Sequence, residues 1–318
     1  MYGLKTDWEE EGSDCRYFTL QHYEGITPRW CPGCGDLAVL TAVQRLCRDE
    51  QLPPEKTVFV SGIGCSSRFP HYMKTYGFHG LHGRALPVAC GIRSRRPDLH
   101  VFVATGDGDC ISIGAGHWVH AIHYNMKLVV MLLDNNVYGL TKNQTSPTSA
   151  RGRKTNTHPR GGFFDPINPV QTTLGIANAS FVAQTVDWNP PHLLATLKAA
   201  HEHPGLAFVR ILQRCPHFAT PDFEALQRDR SKLLLLTHPD GIELDDAAKA
   251  TFEKQESHDP SDLNRARELA GLEDAVVLGL FYRNPDVDRY DLHTAEGVGT
   301  TRTDKLTAVQ AELDRYRI

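Results

Sequence analysis

The chain has no apolar run near the ~20 residues that a membrane-spanning helix needs, so a helical membrane anchor is not expected. It has no excess of basic charge either. A net charge of -4 over 318 residues gives no electrostatic ground for binding nucleic acid or an anionic membrane. No basic segment followed by an apolar one trails Met1, so a cytoplasmic location is expected. Internal repeats and low-complexity tracts are absent. Two familiar motifs fail for want of one residue. Gly62-Ile63-Gly64 follows an apolar stretch, but Ser67 stands where a dinucleotide fingerprint needs its third glycine. Asp107-Gly108-Asp109 resembles the start of a calcium loop, but its twelfth position is Trp118 rather than a bidentate Glu. With 41% hydrophobic and 23% charged residues, what remains is ample core for one large or two moderate domains.

One stretch organises the rest. Val101–Thr105 reads as a buried strand ending in the turn Gly106-Asp107-Gly108-Asp109, with a helix from about Ile111 to Tyr124. Leu128–Leu133 repeats the strand and ends in Asn135 and Asn136. Two parallel strands joined by one helix place both tips at the carboxyl edge of a sheet, where open α/β sheets bind ligands. Asp107 offers a carboxylate, Asn135 a carboxamide oxygen and Val137 a backbone carbonyl, the hard oxygen set suited to Mg²⁺ shared with a diphosphate. The Gly-Asp-Gly turn adds free N–H groups at a helix start. The bland alternative is a tight turn and an Asn-rich loop, and the pairing of the two halves favours the ligand.

Cysteine raises a second question. Cys31-Pro-Gly-Cys34 is a sharp turn whose sulfurs can face one centre, for a metal, for dithiol chemistry or for neither. The loop-like residues before it argue against a thioredoxin arrangement. Cys65 and Cys215 each follow a strand, Thr57–Ser61 and Ala207–Leu212, so the fold can bring them to the same edge. Four thiolates suit zinc or an iron–sulfur cluster, and structural zinc usually takes two close pairs where this chain has one. Cys15, Cys47, Cys90 and Cys110 read as small buried residues. Disulfides are not expected in a cytoplasmic chain.

Taken in order, Cys31-Pro-Gly-Cys-Gly-Asp36, Gly62-Ile-Gly-Cys-Ser-Ser67, Leu81-His-Gly-Arg-Ala85, Gly106-Asp-Gly-Asp109, Asn136-Val-Tyr-Gly-Leu-Thr-Lys142, Ser146-Pro-Thr148 and Gln213-Arg-Cys215 resemble the β subunit of a 2-oxoacid:ferredoxin oxidoreductase. The resemblance covers about Gly25 to Phe218. It implies that Cys31, Cys34, Cys65 and Cys215 hold a [4Fe–4S] cluster and that Asp107, Asn135 and Val137 hold Mg²⁺. It implies that Ile63, Gly64, Cys65, Ser66, His82, Gly83, Arg84, Ala85, Gly106, Gly108, Asp109, Gly139, Leu140 and Thr141 line thiamine diphosphate. It also implies oxidative decarboxylation of a 2-oxoacid with coenzyme A and electron delivery to ferredoxin or a similar carrier. A companion α subunit would carry the pyrimidine-binding domain and its catalytic Glu, since no second βαβ half with a candidate Glu is visible here. Arg-Phe-Pro after Cys-Ser-Ser looks like the 2-oxoglutarate branch. Arg68 is placed to pair with a distal substrate carboxylate, against the alternative of a structural arginine, and Leu140 lies at the reacting centre.

The expected fold is α/β, a mostly parallel sheet with helices on both faces. An N-terminal arm would span 1–25, a cofactor domain 26–220, and a C-terminal extension for subunit contacts 221–318. Further elements are expected at Pro169–Ala177 (helix), Phe181–Val186 (strand), Pro191–His201 (helix), Ala275–Phe281 (strand) and a last amphipathic helix bearing Leu306, Val309, Leu313 and Tyr316. His117, His120 and His123 recur at a step of three, which drifts around a helix, so they read as packing and surface residues. The basic loop Arg151–Arg160 reads as solvated surface, with a cover over the site as the weaker reading. Two competing functions remain on the residues alone: a non-oxidative thiamine diphosphate decarboxylase or synthase, and a zinc-stabilised binding module without catalysis.

Overall fold

The computed structural model of the chain describes residues 17–293 and 302–316. Nine strands form one sheet among these residues: β1 Thr57–Ser61, β2 Tyr76–His79, β3 His100–Gly106, β4 Leu128–Asp134, β5 Phe181–Val186, β6 Leu206–Leu212, β7 Leu233–Thr237, β8 Lys254–Ser257 and β9 Val276–Arg283, in the order β2-β1-β3-β4-β6-β5-β9-β7-β8. The first six are parallel to one another. β9 joins β5 antiparallel and carries β7 and β8 as a second parallel block. The fold is therefore the mostly parallel α/β sheet that the sequence implies, with a reversal at β5/β9.

Strands β3, β4 and β6 are covered on both faces, which is why they read as unbroken apolar runs rather than alternating ones. One face of the sheet packs on helices α1 (Asp36–Asp49) and α5 (Pro190–Glu202) through Val39, Val43, Leu46, Leu193 and Leu197. The other packs on α2 (Ala85–Arg95), α3 (Ala115–Tyr124) and α4 (Pro169–Leu174) through Leu86, Ala89, Trp118, Ile122 and Val170. Asn168 caps α4 by accepting from the Val170 and Gln171 amides, with Pro169 at the first position. Asn189 caps α5 in the same way, again before proline.

Several expectations shift. The helix expected unbroken from Ile111 opens instead as a π-helical turn, Asp109–Ile113, before α3. The helix from Pro169 stops at Leu174. Strands β2, β7 and β8 were not foreseen. β2 and β8 are short, mostly exposed edge strands without a periodic signal, and the second parallel block gives residues beyond 221 a continuous place in the sheet. Part of the expected arm is core: Tyr23 is fully buried and donates to the Cys47 and Leu52 carbonyls. Cys47 and Cys110 are buried and Cys90 is partly so, whereas Cys15 lies outside the described residues. The last helix forms over Arg302–Arg315, but Leu306, Val309, Leu313 and Tyr316 are 55 to 76% exposed.

The chain leaves β1 toward β2 on one side and leaves β3 toward β4 on the other. The carboxyl ends of β1 and β3 thus flank a topological switch point, the crevice where such sheets take ligands.

Candidate active site

Asp107 sits at the tip of β3 and is 3% exposed. Its Oδ2 accepts from the Thr148 hydroxyl at 2.6 Å. The same Thr148 oxygen lies 2.8 Å from Oδ1 of Asp134, the last residue of β4. Two buried carboxylates therefore meet at one hydroxyl that has one proton to give. Arg210 of β6 neutralises Asp134, with contacts of 2.6 and 2.8 Å. Asp107 has no such cation among the described residues. Burial, then the neighbouring Asp134, pushes its carboxyl up to about 7. A hard divalent ion at this point would supply the missing charge, and Asn135 stands beside it with Oδ1 accepting from the Val137 amide at 3.2 Å. The donor set Asp107, Asn135 and Val137 fits Mg²⁺ chemically.

Asp109 acts behind the loops. Its Oδ1 accepts from the Ile63 amide (3.0 Å), the Gly83 amide (2.7 Å) and His82 Nδ1 (2.6 Å), and its Oδ2 from the Thr105 hydroxyl (2.7 Å). One buried carboxylate thus ties the loop after β1, the His82–Gly83 turn and the end of β3 together. Gly62 is required beside it, because a Cβ there would overlap the Asp109 carboxylate. Gly108 is required against the Tyr138 ring, whose hydroxyl donates to the Gly108 carbonyl at 3.0 Å. Of the residues read as cofactor lining, Asp109 spends its bonds on the chain itself. Ile63 and Leu140 are 37% and 50% exposed at the rim. Thr141 bonds Gln144, and Arg84 reaches the Gly83 and Ile113 carbonyls. Gly64 and Gly139 lie in the same loops, Ser66 opens the helical turn after Cys65, Ala85 opens α2 and Gly106 ends β3.

The thiols gather at the adjoining corner. Gly33, at φ +79°, lets the Cys31–Cys34 turn close, with the Cys34 amide bonded to the Cys31 carbonyl at 3.0 Å. The Gly35 amide bonds the Arg214 carbonyl at 3.0 Å, which brings Cys215 beside the turn. Trp30 Nε1 donates to the Cys65 carbonyl at 2.7 Å. A Cβ built on Gly139 would stand 3.8 Å from both the Cys65 and Cys215 sulfurs, so the loop after β4 borders the thiols directly. Burial pushes Cys65 up to about 12, with Asp36, Cys215 and Cys31 adding repulsion, and raises Cys34 still further. No three such side chains converge at coordinating distance among the described residues. The four thiols share a corner, and a sulfur-rich corner of this kind suits a centre that binds cysteines as thiolates.

Gln213 was quoted only as part of a motif, but it bridges the two halves. Its Oε1 accepts from Asn135 at 2.9 Å, and its Nε2 donates to the Cys34 sulfur at 3.3 Å. Asp134 was missed because an Asp at a strand end before Asn-Asn carries no distinct signal. Arg68 makes no ion pair among the described residues and lies over the Tyr72 ring at 5.8 Å, close enough to Cys65 to favour its thiolate. His120 and His123 are exposed on α3 and His117 is partly so, as their spacing implies. The basic loop Arg151–Arg160 is mostly surface, as its composition implies, but it is anchored: Thr155 is buried, and Arg153 binds the Asn136 carbonyl at 3.1 Å and the Phe218 carbonyl.

Residues 62–211 match the family model described as the C-terminal TPP binding domain of thiamine pyrophosphate enzymes. A 2-oxoglutarate oxidoreductase subunit of Mycobacterium tuberculosis is 48% identical over 70% of this chain, the match spanning 58% of that protein. A 2-oxoacid:ferredoxin oxidoreductase subunit beta of Sulfolobus is 40% identical over 84% of this chain and 86% of its own. The solved 2-oxoglutarate:ferredoxin oxidoreductase of Magnetococcus marinus, with 2-oxoglutarate, coenzyme A and succinyl-CoA bound, aligns with TM-score 0.78 and 36% identity over 92% of this chain and 96% of that one.

Proposed function

The chain belongs to the family of 2-oxoacid:ferredoxin oxidoreductase β subunits, and we propose that it serves 2-oxoglutarate first, pyruvate or another 2-oxoacid next, forming acyl-CoA and CO₂ with coenzyme A and passing electrons to ferredoxin. The observation that carries this reading is Asp107, a buried carboxylate at the tip of β3 with no cation paired to it among the described residues, set against Thr148 and Asp134. In this reading Asp107, Asn135 and the Val137 carbonyl hold Mg²⁺ and through it the diphosphate. Asp109 fixes the loops of Ile63 and Gly83 in the shape that the cofactor meets. Cys31, Cys34, Cys65 and Cys215 hold a [4Fe–4S] cluster against Gly139. When bound, thiamine diphosphate supplies the carbanion and electron sink, and the cluster supplies one-electron transfer.

Arg68 is the residue proposed to take the distal carboxylate of a dicarboxylic substrate, because its guanidinium makes no ion pair among the described residues and lies near enough to Cys65 to act on its thiol. Leu140 offers apolar contact at the same rim. The α subunit would cover this edge and bring the Glu that the pyrimidine ring needs. Exposed Ile63, Leu81, Ile113, Leu140, Phe163 and Phe164 support such a cover.

The test is a visible spectrum of the anaerobically purified protein before and after dithionite, with iron and zinc analysis. A broad brown absorbance that bleaches, with about four irons per chain, is expected. A colourless protein with thiamine diphosphate would point to a non-oxidative enzyme, and zinc without thiamine diphosphate would point to a binding module.

A further inference from the structure

The other edge of the sheet, at the amino ends of β3 and β4, holds a second set of charged groups that the reaction does not use. A cavity of about 150 Å³ there is lined by Arg93, His100, Lys127, His201 and His203 among others. At ~30 Å³ per water it has room for a tetrahedral oxyanion with water, and none for a nucleoside.

The charges decide what it can hold. Arg93 spends Nε on Asp291 (2.8 Å) and Nη1 on the Pro97 and Leu99 carbonyls, which leaves Nη2 unbonded. Asp291 is shared with Arg289 at 2.7 Å. Lys127 makes no hydrogen bond or ion pair among the described residues, although it is close enough to repel a charge on His100, His201 and His203. Arg93 and Lys127 on the wall, with Arg289 behind Asp291, are thus three cations, and Asp291 is the carboxylate that they share. Asp98, also on the wall, is tied to Arg96 at 2.8 Å, while Lys56 and Glu50 act on His100 and His201 from farther out. A metal cation is disfavoured, and an anion is called for.

The imidazoles sharpen the choice. His100 Nδ1 and His201 Nε2 lie 3.1 Å apart, and the His201 ring stacks on Phe102. Burial and the neighbouring cations push both below the usual range, His201 to about 4, so both are neutral near pH 7. The tautomer of His203 follows from its partners. Asn125 Nδ2 donates to the Val287 and Asp288 carbonyls, so its Oδ1 only accepts, from the Leu206 amide and from Ser180 at 2.5 Å. Ser180 has one proton, and the Asn125 oxygen at 2.5 Å takes it in preference to the Leu206 carbonyl at 3.3 Å, so Ser180 accepts from His203 Nε2 at 2.8 Å. His203 Nδ1 is then a bare acceptor, buried and without a partner, on a residue 1% exposed. A cationic cavity with one buried acceptor in its wall suits an oxyanion that carries a proton.

We propose that this cavity is a binding site for hydrogen phosphate, its unprotonated oxygens facing Lys127 and the Arg93 fork and its P–OH facing His203 Nδ1. A dianionic phosphate ester or sulfate offers the same charge without the hydroxyl proton, and should bind less well.

Calorimetry on the full chain in a phosphate-free buffer tests this, with orthophosphate, sulfate and a nucleoside monophosphate as separate titrants. Orthophosphate is expected to saturate a site that Lys127→Met weakens about tenfold or more, with sulfate and the nucleotide weaker than orthophosphate by a similar factor. Thiamine diphosphate affinity should be unchanged in the variant, which shows that it folds. Phosphate held instead at the Asp107 edge would be untouched by Lys127→Met, and that result, or no saturable binding, overturns the site. Sulfate binding as tightly as orthophosphate overturns the role given to His203.

Discussion

Replacing Asp107 with Asn should move stability in opposite directions with and without cofactor. In the free protein the carboxyl is raised from 3.8 to about 7 by burial and by Asp134. A carboxylate whose folded value lies above its unfolded one binds more protons folded than unfolded, so stability falls as pH rises from about 4 through 7. The full shift corresponds to a ceiling of about 4 kcal/mol above pH 7. Shared with Asp134 and Thr148, about half of that is a fair expectation. Asn keeps the shape and loses the charge, so free Asp107→Asn should be the more stable protein at pH 8 and match the wild type near pH 4. Adding thiamine diphosphate and Mg²⁺ should reverse the order, because only the wild type then gains an anionic ligand for the ion. Denaturant melts at several pH values, with and without cofactor, would show the crossing. A variant that is less stable without cofactor, or that gains as much as the wild type from thiamine diphosphate and Mg²⁺, would refute the reasoning.

Other positions give independent checks. Asp109→Ala strands the Ile63 and Gly83 amides and the Thr105 hydroxyl. At about 1 kcal/mol or more for each buried donor, it should cost about 3 kcal/mol in urea melts, and a loss under about 1 would deny it the role of a tie. Thr148→Val removes the hydroxyl shared by Asp107 and Asp134, so calorimetry should find Mg²⁺-dependent thiamine diphosphate binding weakened; unchanged binding would make Thr148 mere packing. Arg68→Met in the assembled enzyme should raise KM for 2-oxoglutarate far more than for pyruvate, and equal effects would remove Arg68 from substrate choice.

Physics made some elements legible and hid others. Strands buried on both faces announce themselves, so β3, β4, β5 and β6 could be read from their apolar runs to within a residue or so. Edge strands β2 and β8 could not, since an exposed strand needs no apolar face. Asp107 and Asn135 were legible because two strand tips joined by one helix must share an edge. The direction in which Asp109 points was not, because only the folded loops of Ile63 and Gly83 supply its donors. Cys31, Cys34, Cys65 and Cys215 were legible as a group from one tight turn and two strand ends, but whether they serve a cluster, zinc or nothing was left open by their spacing, and it was the family resemblance that pointed to a cluster. Gln213 and Arg210 matter through residues far away in sequence, Asn135 and Asp134, so neither carries a local signature.

The central claim is that this chain holds thiamine diphosphate and its electron centre but completes its active site only with a companion subunit. The direct measurement is reduction of a viologen dye dependent on 2-oxoglutarate and coenzyme A, by the cofactor-loaded chain alone and after addition of the α subunit. No turnover alone and robust turnover with the partner is the predicted result. Robust turnover by the isolated chain would contradict the account, because the acid that activates the cofactor would then have to lie within this chain.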